Sequence, residues 1–79
     1  MAVIGLSELQ ESRWIALIGL IEVSDGIGAA LDAGGRADGY ALGLLDAKVI
    51  TEPTRDRLAR IVSTATSSRV SQIERESSE

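Results

Sequence analysis

Apolar residues recur at helical spacing along most of this chain, and the polar positions between them carry signals that start and stop helices. Ser7-Glu8-Leu9-Gln10 has the form of a capping box, in which the Ser7 hydroxyl accepts from the third helical amide and Gln10 reaches back to the amide of Ser7. A first helix is expected from about residue 8, with Leu9, Trp14, Leu17, Ile18, Ile21, Ile27 and Leu31 on its apolar side. The run continues toward Ala33, where Gly34-Gly35 is expected to end it. Gly26 and Gly28 interrupt the pattern, each costing about 1 kcal/mol relative to Ala inside a helix. The segment is either one kinked helix or two short ones split near Ser24 to Gly28.

Ala37, Tyr40, Ala41, Leu44 and Leu45 fall at i, i+3, i+4, i+7 and i+8, which gives a short second helix with one apolar face. Thr51-Glu52-Pro53 then opens a third. Thr51 can cap it, Glu52 sets negative charge at the positive helix end, and Pro53 lies in the first turn, where its missing N–H is not needed. Leu58, Ile61, Val62 and Ala65 form the buried stripe of that helix. Beyond Ala65 the serines and threonines weaken the helical signal, although Val70 and Ile73 extend the apolar face if a partner chain covers it. Residues 1–6 and 77–79 are expected to fray. The expectation is one all-α domain over residues 1–79, a compact three- to four-helix unit with a C-terminal helical hairpin.

Length turns this pattern into a question about assembly. A chain of 79 residues sits where a single core rarely contributes more than about 3 to 5 kcal/mol net. With no cysteine and no histidine, neither a disulfide nor the common zinc site can substitute, which leaves oligomerisation and points to a homodimer. The apolar fraction of 44% is almost wholly aliphatic, Trp14 and Tyr40 being the only aromatics. Eight basic against twelve acidic residues give a net charge of -4, which disfavours a nucleic-acid partner. The longest uncharged apolar run, Trp14 to Ile21, is far short of the 18 or so residues of a membrane span, and the N-terminal run has no basic region or cleavage pattern of a secretory signal. The expected compartment is the cytoplasm.

Catalysis is disfavoured by elimination. The commonest general base and the thiol nucleophile are both missing, and no serine or threonine is spaced to an activating lysine or carboxylate. Gly34-Gly35 and Gly26-Ile27-Gly28 lack the strand and the Lys-Ser/Thr of a phosphate loop. No calcium-binding loop of alternating aspartates occurs, so neither a metal nor a cofactor is expected.

The candidate residues are those of contact. Gly35, Gly39, Gly43 and Ala47 set a small residue every fourth position, which would let another backbone approach closely, either a docked partner or the first helix of the same chain. Trp14 is either an interface anchor or the centre of the core. With Val70 and Ile73 these residues make up the candidate interface. Glu22, Asp25 and Asp32 form a candidate acidic face that would fit a basic groove on another protein, or an ordinary solvated surface. Arg55, Arg57 and Arg60 form the one basic cluster, placed where a recognition helix begins. This is the basis of an alternative reading as a small dimeric DNA-binding regulator or antitoxin-like protein. Against it, Glu52 and Asp56 interleave with the arginines.

The stretch Gly43-Leu44-Leu45-Asp46-Ala47-Lys48-Val49-Ile50-Thr51-Glu52, followed by Arg57-Leu58, resembles a capped helical hairpin common in short bacterial and phage-encoded proteins. The likeness covers about a quarter of the chain. Small acidic helical accessory proteins of that kind include anti-CRISPR proteins. The resemblance implies a non-enzymatic interaction module that binds and blocks a larger host nucleoprotein complex, and it assigns no functional residue.

Overall fold

The structure is a computed structural model and describes residues 5–77. Three helices account for it: α1 (Glu8–Glu22), α2 (Ile27–Asp46) and α3 (Glu52–Ser77). α2 and α3 form the long hairpin, and α1 lies across both, packed more closely on α2 than on α3. The 26 residues of α3, at about 1.5 Å each, set the 45 Å length of a molecule only 20 by 17 Å across.

α1 begins as its capping box requires. The Gln10 amide donates to Ser7 Oγ at 3.1 Å, and the Ser7 amide donates to Gln10 Oε1 at 2.9 Å. The helix stops at Glu22, earlier than the apolar pattern indicates. Ser24 closes that end by donating its hydroxyl to the Leu20 carbonyl at 2.7 Å, and its own carbonyl accepts from Arg69 Nε of α3 at 2.7 Å. The segment is thus two helices joined by a turn that α3 holds down.

α2 corrects the sequence reading. It runs from Ile27 straight through Gly34-Gly35, where a break was expected, and is much longer than the helix anticipated from Ala37. Tertiary contact explains why. Ala30, Ala33, Gly34, Ala37, Ala41 and Leu44 form its buried face, and a Cβ added to Gly34 would stand 2.7 Å from Thr66 Oγ1 of α3. At this glycine α3 comes too close for a side chain to be added without Thr66 moving, and the packing it permits outweighs its poor helix propensity.

α3 also outlasts its propensity. The Ser- and Thr-rich stretch after Ala65 stays helical to Ser77 because the N-terminal half of α2 gives it a surface, on which Val70 and Ile73 are half-buried within the same chain. Ser77 is helical, while Ser78, Glu79 and residues 1–4 lie outside the described residues. Leu6 is likewise fixed rather than frayed, packed against the core.

The hairpin turn is a Schellman motif. The Val49 amide donates to the Leu44 carbonyl at 2.9 Å and the Lys48 amide to the Leu45 carbonyl at 3.0 Å, with Lys48 in the left-handed region at φ 61°. That position normally takes glycine. Thr51 then opens α3, its carbonyl accepting from the Arg55 amide at 2.9 Å.

Candidate interaction surface

Three large side chains, Trp14, Ile21 and Leu58, are fully buried, and alanines of α2 fill much of the space among them. Trp14, at 1% exposure, is core rather than an exposed anchor. Tyr40 marks the edge of that core, its hydroxyl 3.5 Å from the Gln10 carbonyl.

Gly35, Gly39, Gly43 and Ala47 face outward together along α2. A Cβ added at Gly35, Gly39 or Gly43 would meet nothing within 4 Å. The alternative in which this row packs against α1 therefore fails; the row that turns into the core is the neighbouring one, Ala33, Ala37 and Ala41. The glycines leave a smooth strip of exposed backbone flanked by Leu31 and Leu42, both exposed.

α1 carries the largest surface that the sequence reading missed. Its aliphatic residues surround the whole circumference, whereas only Trp14 and Ile21 are buried. Leu9, Ile15, Leu20 and Val23 are 60%, 50%, 47% and 68% exposed. A helix apolar on every side is normally enclosed. The signal was present in the sequence: no polar stripe interrupts the apolar positions from Trp14 to Ile21. Two open troughs flank this helix. One, between α1 and α2, is lined by Arg13, Ala16, Leu17, Leu20 and Tyr40. The other, between α1 and α3, is lined by Trp14, Ile15, Ile18, Glu22 and Ile61. Both are overwhelmingly apolar and neither gathers groups suited to acid–base or nucleophilic chemistry.

The charged candidates do not come together as the spacing suggested. Glu22 ends α1 and borders the α1/α3 trough, Asp25 lies in the turn, and Asp32 sits on α2 beside Arg36 and Ser24 in a third depression. All three are exposed, but on separate elements rather than on one helix face. In α3, Arg57 and Arg60 are exposed and lie about 60° apart around the axis, while Arg55 is about 160° from Arg57 and half-buried, with an Nε that is shielded from solvent and has no hydrogen-bond partner. The three arginines present no common basic face. Among the described residues no group of three or more acidic, His or Cys side chains is placed to hold a metal ion, and no helix is long and apolar enough to cross a membrane.

No protein-family model, curated protein or solved structure matches the chain.

Proposed function

We propose that this chain is a non-enzymatic protein–protein interaction module of the cytoplasm. It works as a homodimer and presents the smooth strip of α2 to a protein partner. The observation that carries the reading is the row Gly35, Gly39 and Gly43, solvent-exposed and without any intramolecular neighbour that a side chain would strike. Each glycine costs about 1 kcal/mol relative to Ala in a helix interior. Among the described residues no side chain or backbone approaches these positions closely enough to require a glycine, whereas a partner backbone approaching closely would.

The hairpin's resemblance to phage and mobile-element accessory proteins supports a specific task, the blocking of a host nucleoprotein complex in the manner of anti-CRISPR proteins. The test is inhibition of DNA binding by purified CRISPR effector complexes, using the full chain and a Gly39→Leu/Gly43→Leu variant. These side chains enter open space, so the variant keeps its fold by circular dichroism. The expected result is inhibition by the parent and its loss in the variant. Equal behaviour of the two, or no inhibition of any effector complex, refutes the assignment of strip and task respectively.

A further inference from the structure

The chain contains two Asp-Gly pairs, Asp25-Gly26 and Asp38-Gly39, and the fold treats them differently. Such a pair has a reactive backbone, because the glycine nitrogen can attack the aspartate carboxyl carbon and no Cβ hinders its approach. The C–N bond that forms closes a five-membered succinimide. The Cγ–O bond breaks, and its oxygen leaves as water with the amide proton and the carboxyl proton. Water then reopens the ring. Opening at Cγ restores aspartate, whereas opening at the main-chain carbonyl carbon leaves the peptide linkage running through Cγ, an isoaspartate of unchanged mass.

The reaction needs an amide nitrogen that is not held in a hydrogen bond. Asp25 is exposed and lies with Gly26 in the bend between the end of α1 and the start of α2. Among the described residues neither the Asp25 carboxylate nor the Gly26 amide has a hydrogen-bond partner. A Cβ at Gly26 would meet nothing within 4 Å, so no neighbour crowds the nitrogen. α2 also begins here without a side-chain cap, and its positive end favours the negative charge that develops during attack. Gly39, by contrast, lies inside α2, where its amide is committed to the carbonyl four residues back. Asp32, Asp46 and Asp56 are helical as well, and they precede Ala33, Ala47 and Arg57, whose side chains hinder the nitrogen. The Ala47 amide is further engaged by the Gly43 carbonyl at 3.0 Å.

We propose that Asp25-Gly26 is a self-modification site, at which the folded chain converts Asp25 to isoaspartate with water as the only co-reactant, while α2 protects Asp38-Gly39. The position gives the change a consequence. Just before it, the Ser24 carbonyl is held by Arg69 Nε at 2.7 Å; just after it, the Gly26 carbonyl accepts from the Ala30 amide at 2.9 Å. Isoaspartate inserts one extra carbon into the main chain between these two anchored groups, so the joint no longer fits both.

The test is prolonged incubation of the full chain at neutral pH, folded and in urea, followed by tryptic digestion and fragmentation that distinguishes aspartate from its isomer. Cleavage after Arg36 puts Asp25 and Asp38 on separate peptides. In the folded chain the product is expected to form at least about tenfold faster at Asp25 than at Asp38, the ratio that follows when opening the helix around Gly39 costs about 1.4 kcal/mol or more. In urea the two pairs are expected to react at similar rates. Gly26→Ala places a methyl in open space on extended backbone at φ -150°, so it keeps the helical spectrum and is expected to lose the Asp25 product. The isomerised chain, separated by chromatography, is expected to exchange its amide hydrogens faster than the parent across residues 23–30. Equal rates at the two pairs in the folded chain, no product at Asp25, or undiminished product in Gly26→Ala overturns the site. Unchanged exchange in the isomerised chain overturns its effect on the joint.

Discussion

Gly34 and Gly35 are adjacent in sequence, and opposite outcomes are expected when each becomes alanine. At Gly35 the new methyl enters open solvent-facing space, so the substitution gains helix propensity without a clash. The gain is about 0.8 to 1 kcal/mol, which for a domain of this size raises Tm by about 4 to 8 °C. At Gly34 the same methyl would stand 2.7 Å from Thr66 Oγ1, with Thr66 Cγ2 and Cβ at 3.6 and 3.7 Å. Either Thr66 changes rotamer in a half-buried site or the two long helices separate. Overpacking of this kind costs about 1 to 3 kcal/mol, so after the propensity gain the net change lies between none and about 2 kcal/mol of destabilisation. Thermal melts followed at 222 nm measure both variants against the parent. Thr66→Ala supplies the remaining corner of a double-mutant cycle, because with the hydroxyl gone Gly34→Ala should recover its propensity gain. If Gly34→Ala stabilises as much as Gly35→Ala, or the cycle shows no coupling to Thr66, the close approach of α2 to α3 at this point is wrong. The account of why α2 passes through its glycine pair would fall with it.

Three further substitutions probe other parts of the fold. Lys48→Gly relieves the left-handed backbone at φ 61° and is expected to raise stability by about 1 kcal/mol in chemical denaturation; a loss would show that the lysine side chain supports the turn. Arg69→Ala removes the charged hydrogen bond to the Ser24 carbonyl and is expected to cost about 1.5 to 3 kcal/mol, with faster amide hydrogen exchange in the turn between α1 and α2; unchanged exchange there would contradict the clamp. Trp14→Ala empties the centre of the core at about 3 to 5 kcal/mol, comparable to the whole net stability of a core this size, so circular dichroism should show an unfolded chain; a cooperative melt near that of the parent would refute the central position of the indole.

Much of the architecture was legible wherever a local signal and a tertiary need agreed. The capping box at Ser7 and Gln10, the opening of α3 at Thr51 and the buried stripe through Leu58 and Val62 are present as the spacing indicates. The middle of the chain was misread because glycine has two uses in a helix that look alike in sequence. Gly34 is there for its lack of a side chain against Thr66, and so a pair that reads as a helix stop lies inside one. Carrying the Ala37, Ala41 and Leu44 face backward by three and four residues reaches Ala33 and Ala30, both buried, and would have indicated the longer helix. Choosing between the two small-residue rows of α2 was harder. Both repeat every four residues, and only the packing of α1 and α3 on α2 decides that the alanine row turns inward and Gly35, Gly39 and Gly43 turn out.

Shortage of core and excess of surface have a common origin here. A helix lined with alanine and glycine can approach its neighbours closely, and that is how α2 packs around so few large side chains. Alanine, however, buries little apolar area, so the larger aliphatic residues that would ordinarily fill an interior must be accommodated elsewhere. Among the described residues, Leu9, Ile15, Leu20, Val23, Ile27, Leu31 and Leu42 are all exposed. Four of the seven lie on α1 and its C-cap, and the other three lie on α2. In a chain of ordinary composition such a distribution would be a defect of packing. In this one the exposed aliphatics of α1 spread around the helix and those of α2 lie near its glycines, and small residues are what a neighbouring helix requires for close approach. The same economy that leaves the chain thinly cored therefore leaves aliphatic and small residues exposed side by side on α1 and on α2.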